Sequence, residues 1–561
     1  MSKEWRSFHI VILTGEEYIH KDQAGRRQFV PFEPKSDMNL QGTSIIGAGR
    51  GQTSDHPSQA DNPATQEALP GDFHAASESE VAHTAELAAE ASIPFGQTTG
   101  AERAAFLRAV ADQIEALGDV LVERATAETG LPEGRIQMER GRTCGQLRLF
   151  ASLVEEGSWV DARIDHGDPD RQPLPKPDVR SMLRPVGPVV VFCASNFPLA
   201  FSVAGGDTAS AFAAGCPVVV KAHHAHVGTA ELIGTAVQAA VKSCGLPGGT
   251  FSLLFGSGRQ VGAALVQHSA IKAVGFTGSR DGGRALMDLA ANRPEPIPVY
   301  AEMSSINPVF LLPGALAERA QAIAAGLHGS VTLGVGQFCT NPGLVMVGQD
   351  VDASEFSSEF TRLMSDTPEA TMLTAGICKA YRDGVAGHAA NSIVTQLAAA
   401  NSSKGSNAGA AAVFEAGGDA FLADSSLSDE LFGPATLIVR HSSNEQLLEI
   451  AKSLEGQLTV TIQGTEADLK ENAELVQILE QKAGRLLFNG FPTGVEVCHA
   501  MVHGGPYPAT SDGRSTSVGT QAIFRFSRAV CYQNWPDDQL PPALQEANPL
   551  GITRLEDGTR P

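Results

Sequence analysis

At 561 residues the chain is too long for a single hydrophobic core, so at least two domains are expected. Hydrophobic residues make up 42% and charged residues 19%, as in globular proteins, and no apolar run reaches the roughly 18–20 residues that cross a bilayer, so we expect no membrane partner. The 63 Asp and Glu residues outnumber the 41 Lys and Arg residues, and a net charge of −22 repels nucleic acid, which leaves a small molecule as the expected partner.

The N-terminal segment and the cysteines indicate a cytoplasmic protein. Residues 1–37 lack the longer apolar core and the cleavage site of a secretory signal. We predict that they form an N-terminal extension; a mis-assigned start is the alternative, because Met38 opens a segment that resembles a normal protein start. The eight cysteines are scattered, with no C-x-x-C pair and no Cys/His grouping at metal-binding spacing. A reducing compartment and no bound metal are therefore expected.

The segment from residue 76 to residue 160 has helical periodicity. Apolar residues recur three and four positions apart, for example Ala104, Leu107 and Val110, and this spacing predicts two or three amphipathic helices. The following segment, 171–185, is rich in proline, which favours an extended arm that reaches another subunit.

Short apolar runs then alternate with helical patterns and glycine-rich turns. The first four runs are 186–193, 217–221, 250–255 and 271–276. Runs of this kind are typical of parallel strands buried on both faces of a doubly wound sheet. A second series extends from Pro308 to Arg440 and on to 486–489, so the sequence predicts an α/β protein with two doubly wound domains. Near the C-terminus, the alternation Ala522-Ile-Phe-Arg-Phe-Ser predicts an edge strand.

Two segments carry reactive side chains. Cys339 lies in Gly334-Val-Gly-Gln-Phe-Cys-Thr-Asn-Pro-Gly343, where a thiolate attacks a carbonyl and glycines let backbone N–H groups approach an oxyanion. Glu302 ends the apolar run that begins at Val299, and a carboxylate so placed is a candidate general base with a raised pKa. On each segment alone, a buried apolar cysteine and a salt-bridged structural glutamate stay open as alternatives.

Two turns follow predicted strands. Asn196, in Cys193-Ala-Ser-Asn-Phe-Pro-Leu, is an amide donor after the first strand, although asparagine is also common in ordinary turns. Gly278, Ser279 and Gly283 belong to a glycine turn that leads into a helix, whose free N–H groups and dipole bind phosphate. One such turn is weak evidence, because glycine caps many helices.

Taken in order, these segments resemble the aldehyde dehydrogenase superfamily over nearly all of residues 38–535. The resemblance includes Asn62-Pro-Ala-Thr65, Val218-Val-Val-Lys221 and Glu430-Leu-Phe-Gly-Pro434. It implies an aldehyde dehydrogenase-like α/β fold, with two doubly wound domains and a small β oligomerisation arm. It also implies that an aldehyde is oxidised to a carboxylate with a nicotinamide cofactor, through a thiohemiacetal and a thioester and without a metal.

The resemblance assigns three catalytic residues. Cys339 matches the nucleophile, Glu302 the general base, and Asn196 the residue that donates to the oxyanion together with the backbone N–H of the nucleophile. The substrate-binding residues that it implies are Arg142, Phe197, Phe338 and Thr340.

The resemblance also implies a cofactor site. Lys221 matches a lysine that binds the cofactor ribose hydroxyls, Ser279 a serine that contacts the pyrophosphate, and Glu430 a glutamate that holds the nicotinamide ribose. The other cofactor-binding residues are His224, Gly258, Gly278, Gly283 and Phe432. NAD-preferring members carry Glu three residues after the lysine, and His224 removes the repulsion between that carboxylate and a 2′-phosphate. We therefore expect NADP as the preferred cofactor, with NAD tolerated.

A closer resemblance concerns the substrate. The strings 146–150, 157–161, 488–497 and 503–512 resemble the 2-oxoglutarate semialdehyde (2,5-dioxopentanoate) dehydrogenase branch, which is itself similar to an NADP-linked long-chain aldehyde dehydrogenase. Arg142 is then expected to pair with the carboxylate of a short semialdehyde, while a solvated helix arginine is the alternative. The family's Leu and two glycines are replaced by Met303-Ser304-Ser305, and its Trp by Ser195, so the pocket shape is expected to differ.

The resemblance also divides the chain. It implies an extension (1–37), a dinucleotide-binding domain (38–161 and 184–301), a catalytic domain (302–505), an oligomerisation arm (162–183 and 506–535) and a C-terminal tail (536–561), assembled as a homodimer or homotetramer. The alternatives are a fatty or broad-specificity aldehyde dehydrogenase, a coenzyme A-acylating member and a structural protein that keeps the fold. Glu302 argues against the second, and the intact Cys339, Glu302 and Asn196 argue against the third.

Overall fold

The computed structural model describes residues 40–400 and 407–560, so the whole of the predicted extension, 1–37, lies outside the described residues. The helices are α1 (Glu78–Gly96), α2 (Gly100–Ala116), α3 (Gly118–Thr129), α4 (Glu133–Glu156), α5 (Gly206–Ala214), α6 (Val227–Ser243), α7 (Ala263–Gln267), α8 (Arg280–Ala291), α9 (Pro313–Thr332), α10 (Ser354–Ser365), α11 (Ala375–Ala390), α12 (Gly418–Ala423), α13 (Asn444–Ser453), α14 (Glu466–Glu471) and α15 (Ala473–Glu480). Within the described ranges, none of them combines the length and apolar content that a bilayer span requires.

The strands form two large sheets and two small ones. They are β1 (Ile45–Ile46), β2 (Gly49–Arg50), β3 (Arg163–Asp165), β4 (Val179–Pro185), β5 (Val189–Phe192), β6 (Val218–Lys221), β7 (Phe251–Leu254), β8 (Ala273–Thr277), β9 (Val299–Glu302), β10 (Val309–Leu311), β11 (Leu344–Gly348), β12 (Ala370–Thr371), β13 (Thr395–Ala399), β14 (Ala408–Gly409), β15 (Ala412–Gly417), β16 (Ala435–His441), β17 (Gln457–Gln463), β18 (Ala483–Phe488), β19 (Ser527–Gln533) and β20 (Leu555–Glu556). Strands β12 and β14 pair only with each other among the described residues.

The first large sheet has the order β2-β1-β7-β6-β5-β8-β9. Strands β5 to β9 are parallel, whereas β1 is antiparallel to β7. Every residue of β5, β6 and β7 is buried, as expected of a sheet covered on both faces by helices. The four predicted apolar runs form β5 to β8, which confirms the predicted parallel sheet.

The second large sheet has the order β13-β15-β16-β11-β10-β17-β18, and all its pairs are parallel except that of β13 with β15. Successive residues of β10 point to opposite faces. Val309 and Leu311 pack in the core beneath α9 and α10, whereas Phe310 packs in the core beneath α13 and α15. The second predicted series of parallel strands is therefore confirmed.

A small four-stranded sheet has the order β19-β4-β3-β20. Strands β4 and β19 pair antiparallel over their full length, from Ser527 opposite Pro185 to Gln533 opposite Val179. Strand β20, which comes from the predicted C-terminal tail, runs parallel to β3. Strand β19 is an edge strand.

Two local predictions are wrong. Residues 76–160 form four helices rather than two or three, because Gly118 and Gly130 adopt positive φ angles of 57° and 68° and so end helical segments. The strand predicted at 522–527 begins only at Ser527. Residues 520–526 form 3₁₀ turns in which Ala522, Ile523 and Phe526 are all buried, a spacing that suits a helical turn and not the two-residue period of a strand.

Candidate active site

A cavity of about 1180 Å³ lies where β5, β6, β8 and β9 end. Its wall includes residues that directly follow those strands, and it reaches the loop that carries Cys339 and the segment 430–432. The carboxyl ends of parallel strands are the usual ligand-binding edge of an open α/β sheet. The predicted catalytic residues Cys339, Glu302 and Asn196 all line this one cavity.

The Cys339 loop begins with a sharp turn after α9. Gly334, Val335 and Gly336 have φ angles of 56°, 58° and 65°. A Cβ atom on Gly336 would lie 2.2 Å from the carbonyl carbon of Gly433, so no larger residue fits there. The turn brings the half-buried Cys339 to the cavity wall.

A buried asparagine fixes the same loop from behind. The Nδ2 atom of Asn307 lies 2.8 Å from the carbonyl oxygen of Cys339 and 3.0 Å from that of Asn341. Its Oδ1 atom accepts hydrogen bonds from the hydroxyls of Ser305 and Thr459, at 3.0 and 2.9 Å. The nucleophile loop is thereby held against β17 and against the segment that follows Glu302.

The Cys339 sulfur is one corner of a buried triangle of reactive groups. His503 Nε2 lies 3.5 Å from Cys339 Sγ and 3.0 Å from Glu302 Oε1. The second carboxylate oxygen of Glu302 accepts a hydrogen bond of 2.6 Å from the Ser517 hydroxyl. The side chains of His503 and Glu302 are 1% and 3% exposed, so these contacts are shielded from bulk water.

The pKa values in this triangle differ from the prediction. Burial raises the pKa of Glu302, but the neighbouring His503 imidazole and hydrogen bonds from His503, Ser517 and Cys339 outweigh that effect and leave the pKa lowered. The predicted rise is therefore wrong, because the sequence did not reveal His503. Burial and the Glu302 carboxylate raise the pKa of Cys339 well above its usual value. The resting cysteine is thus a thiol with proton acceptors beside it.

His503 is the functional residue that sequence reasoning missed. It was part of a string used only for the resemblance, and it is separated from Cys339 by 164 positions. Its backbone is held by Thr516 and Ser517, since its N–H donates to Thr516 Oγ1 at 2.8 Å and its carbonyl accepts from Ser517 N at 2.8 Å. No local motif distinguished it from the other histidines of the chain.

Asn196 stands at the end of β5 with its amide oriented by the nucleophile loop. Its Nδ2 atom donates to the carbonyl oxygen of Gln337 at 3.1 Å. Because an amide carries two N–H bonds, one remains for an acceptor in the cavity. Its role as oxyanion donor stays a prediction.

One end of the cavity carries basic side chains. Lys221 is only 7% exposed, and its ammonium group makes no hydrogen bond or ion pair with any residue that the structure describes. Burial lowers its pKa. His224 lines the wall beside it and stacks on His223 with a ring-centroid distance of 4.4 Å. Gly258 lines the same end and leaves open space in front of its Cα.

The glycine turn also lines this cavity, with one exception. Ser279 is the N-cap of α8, its hydroxyl accepts from Gly282 N at 3.2 Å, and Gly278 precedes it on the wall. Gly283 instead faces the sheet, where an added Cβ would lie 2.6 Å from the Met303 sulfur. The helix N-terminus and the unpartnered Lys221 ammonium fit the phosphates and ribose of a dinucleotide.

Glu430 and Phe432 also line the cavity, and the Glu430 charge contributes to the raised pKa of Cys339. Burial raises the pKa of Glu430 to about 7, against hydrogen bonds from Ser304 and from the backbone of Ser305 that lower it. Burial therefore favours the protonated form of this carboxyl, which can both donate and accept hydrogen bonds. That suits a ribose hydroxyl pair, as the resemblance implies.

The predicted substrate residues surround an aromatic cluster next to Cys339. Phe197 and Phe338 meet edge to face at 5.4 Å, and Phe201 joins them. The Arg142 guanidinium lies 5.5 Å from the ring centres of both Phe197 and Phe201. Thr340 is buried, and its hydroxyl has no hydrogen-bond partner among the described residues.

Arg142 differs from its neighbours on α4 in lacking a partner. Its buried Nε and Nη2 atoms make no hydrogen bond within the described part of the chain. Arg135 pairs with Glu139, and Arg148 pairs with Asp112 and Glu115 at the surface. The Arg142 charge also partly offsets the rise in the Cys339 pKa. An unpaired cation is therefore available close to the nucleophile.

Comparison with known proteins agrees with this geometry. A profile of the aldehyde dehydrogenase family matches residues 51–511. The chain is 54% identical over 522 residues to alpha-ketoglutaric semialdehyde dehydrogenase 2 of Azospirillum brasilense, a match that covers 93% of this chain and 99% of that protein. It is 48% identical over 490 residues to alpha-ketoglutaric semialdehyde dehydrogenase of Acinetobacter baylyi, covering 87% and 92%. The structure of betaine aldehyde dehydrogenase from Staphylococcus aureus in complex with NAD+ has the same fold, with a TM-score of 0.75, 18% identity and coverage of 90% and 96%.

Proposed function

The chain belongs to the aldehyde dehydrogenase family, and from that premise we propose that it oxidises 2-oxoglutarate semialdehyde to 2-oxoglutarate with NADP in preference to NAD. The observation that carries the reaction is the contact of Cys339 with the His503–Glu302 pair on the wall of the cavity. The names of the two close relatives support the substrate. Arg142 supports a negatively charged substrate, and His224 supports NADP as the preferred cofactor.

The first step is addition of the Cys339 sulfur to the aldehyde carbon. As the C–S bond forms, the thiol proton passes to the His503–Glu302 pair, which lies within direct reach. The developing alkoxide accepts from the N–H of Asn196 that Gln337 leaves free, which stabilises the thiohemiacetal. A nicotinamide cofactor in the cavity supplies the acceptor for the hydride that leaves this carbon, and a thioester remains on Cys339.

The second step is hydrolysis of that thioester. Glu302 removes a proton from a water molecule as its oxygen attacks the thioester carbonyl, and the C–S bond breaks. The lowered pKa of Glu302 keeps the carboxylate ionised at neutral pH and able to accept this proton. The proton that the His503–Glu302 pair accepted in the first step passes to solvent before Glu302 acts as this base. The departing Cys339 thiolate then takes up the proton that Glu302 removed from water, and the carboxylic acid product leaves.

We expect Cys339→Ala to abolish turnover while cofactor binding is retained, because no other thiol lines the reacting part of the cavity in the described structure apart from the buried Cys193.

Glu302→Gln should lower the steady-state rate by roughly 10²–10⁴-fold through loss of the general base, with a first-turnover burst of reduced cofactor preserved. Stopped-flow absorbance measures both. Cys498→Ala, a half-buried cysteine outside the cavity, is the control. Near-normal turnover of Cys339→Ala would refute the nucleophile assignment.

The cofactor preference rests on the absence of a carboxylate beside Lys221. His224 occupies that wall, and burial and the neighbouring Lys221 lower its pKa, so it adds little negative or positive charge at neutral pH. Lys221 then provides an unpaired cation for a 2′-phosphate. NADP binding is thus favoured because the residue beside Lys221 is not an anion, while the carboxylate of Asp281 lines another part of the cavity wall, and NAD keeps its ribose contacts.

We expect His224→Glu to lower kcat/KM for NADP relative to kcat/KM for NAD by about tenfold or more, because the new carboxylate repels the 2′-phosphate. A tenfold change corresponds to about 1.4 kcal/mol. His224→Gln is the matched control, because it is neutral and should leave the ratio nearly unchanged. If wild type and His224→Glu had equal NADP/NAD ratios of kcat/KM, the 2′ position of the bound cofactor would not lie beside His224.

The substrate proposal rests on the unpaired Arg142. A guanidinium with buried, unpartnered N–H groups favours an anionic ligand group, and a bidentate carboxylate satisfies it. A bare alkyl chain has no hydrogen-bond acceptor and would leave the Arg142 guanidinium unpaired. The Phe197, Phe201 and Phe338 cluster favours the alternative, a fatty or broad-specificity aldehyde dehydrogenase. The two proposals differ in how activity depends on Arg142.

Arg142→Met should raise KM for 2-oxoglutarate semialdehyde by one to two orders of magnitude, from loss of roughly 1.5–3 kcal/mol in a charge-assisted hydrogen bond. Hexanal oxidation should be unaffected or faster. Arg148→Met, on the surface of the same helix, should change neither. Equal losses on both aldehydes would make Arg142 a structural residue, and a wild-type preference for long alkanals would favour the fatty-aldehyde alternative.

We also propose a homodimer or a pair of dimers. Strand β19 leaves one edge of the small sheet unpaired in the described chain, and the edge strand β18 exposes Leu486 and Phe488, at 37% and 44%. Unpaired edges with exposed apolar side chains are normally covered. Deletion of residues 511–561 would not test the assembly alone, because it would also remove the hydrogen bond from the Ser517 hydroxyl to Glu302.

Phe488→Asp should weaken the assembly, because it places a charge on the proposed contact surface, and the mass measured by sedimentation equilibrium should fall towards that of one chain. Val120→Asp, at an equally exposed position on α3, is the control. An unchanged oligomer mass for Phe488→Asp would exclude β18 from the interface.

A further inference from the structure

The three reactive side chains at the nucleophile also have the composition of a transition-metal site. The Cys339 sulfur, a nitrogen of His503 and a carboxylate oxygen of Glu302 all lie within 4.8 Å of one another. Thiolate, imidazole and carboxylate are the three ligand types that bind Zn²⁺ in proteins. Mg²⁺ and Ca²⁺ bind oxygen ligands instead, so this set selects against them.

The spacing of the donor atoms fits tetrahedral zinc. Zinc bonds of about 2.3 Å to sulfur, 2.05 Å to nitrogen and 2.0 Å to oxygen, at tetrahedral angles, require about 3.6 Å between sulfur and nitrogen and about 3.3 Å between nitrogen and oxygen. The observed Cys339 Sγ to His503 Nε2 distance is 3.5 Å, and His503 Nε2 to Glu302 Oε1 is 3.0 Å. Small side-chain rotations are sufficient to admit the ion.

The surroundings of these side chains resemble a built site. His503 Nδ1 is buried and makes no hydrogen bond with any described residue, and Glu302 Oε1 lies 3.0 Å from His503 Nε2. When the ring proton of His503 resides on Nδ1, the Nε2 lone pair faces the sulfur and the carboxylate. Ser517 orients the other oxygen of Glu302, and Asn307 fixes the backbone of Cys339. Ligands fixed in this way lose little freedom on binding an ion.

The site is open on one side. Cys339 and Glu302 line the large cavity, so an ion can enter from solvent, and its fourth position faces the cavity and takes a water molecule. As the ion binds, it displaces the thiol proton of Cys339 to solvent, and the resulting thiolate and the Glu302 carboxylate together neutralise the two charges of Zn²⁺, which compensates their burial. Three protein ligands with an open fourth position are the arrangement of catalytic zinc sites.

We propose that Cys339, His503 and Glu302 form a zinc-binding site, and that Zn²⁺ bound there reversibly inhibits the protein by occupying the nucleophile and the base together. Binding of the ion depends only on the three side chains. Its inhibitory effect rests on the proposed aldehyde dehydrogenase function.

The binding test uses the full chain after dialysis against EDTA. Titration with ZnSO₄ in competition with a chromophoric chelator should give one tight site per chain, and CoCl₂ should produce a thiolate-to-cobalt charge-transfer band. MgCl₂ should not compete. Affinity should fall by about 100-fold or more in His503→Gln and Cys339→Ser, and Cys339→Ser should lack the charge-transfer band. Cys498→Ser and His499→Gln, on the segment that precedes His503, should bind as wild type does.

A second measurement is independent of turnover. Saturating Zn²⁺ should slow alkylation of Cys339 by iodoacetamide at least tenfold, while alkylation of the exposed Cys531 in the same sample stays unchanged. Mass spectrometry of both peptides gives the two rates. Protection of both cysteines alike, or of neither, would contradict a site at Cys339.

Aldehyde oxidation by wild type should be inhibited over the concentration range in which the chelator assay shows zinc binding, and EDTA should restore it. Binding that survives both Cys339→Ser and His503→Gln would overturn the proposal in favour of surface sites. Zinc that binds at Cys339 without inhibiting would overturn its regulatory part. If wild type oxidised no aldehyde but still bound zinc at Cys339, the proposed function would fail and the metal site would stand.

Discussion

The geometry of the active site depends on one buried amide. Asn307 lies between the two large sheets, with a φ angle of 48° that aims its side chain at the nucleophile loop. It donates to the carbonyl oxygens of Cys339 and Asn341 and accepts from hydroxyls on both sides. A buried carbonyl left without a donor costs about 1–3 kcal/mol, so loss of this amide penalises the observed loop conformation more than once. The position of the sulfur relative to Glu302, five residues before Asn307, follows from this contact.

Residues 503–517 hold Glu302 in place, as Asn307 holds the Cys339 loop. Thr510 forms a β-bridge with Glu302, Ser517 hydrogen-bonds the carboxylate, and His503 contacts both the carboxylate and the sulfur. Burying a carboxylate is costly, because its desolvation offsets much of its attraction to a hydrogen-bond partner. The contribution of this pair is therefore better sought in chemistry than in stability. It lowers the pKa of Glu302, while burial beside Glu302 raises the pKa of Cys339 and keeps its sulfur protonated.

The sequence was sufficient for features that depend on local patterns. Apolar runs located β5 to β8, and the resemblance located Cys339, Glu302, Asn196 and Lys221, all of which reach one cavity. Features that depend on distant contacts were not predictable. The predicted rise in the pKa of Glu302 was wrong, because that pKa depends on His503, which joins the site only through tertiary folding. Likewise, nothing local distinguishes Arg142 from Arg148 on the same helix. Only the packed structure shows that one faces the aromatic cluster unpaired and the other is paired at the surface.

The charges along the cavity define a direction for a dinucleotide. Lys221, which is unpartnered in the described structure, and the N-terminus of α8 at Ser279 line the cavity and attract phosphate. The carboxyl groups of Glu302 and Glu430 also line it and lie close enough to Cys339 to raise its pKa. An oxidised nicotinamide ring is cationic and its phosphates are anionic, so the reverse orientation would set phosphates against carboxylates and the ring against Lys221. The same polarity that draws the ring towards Cys339 also makes the nucleophile end attractive to any other small cation, and its thiolate, imidazole and carboxylate donors decide which cation binds.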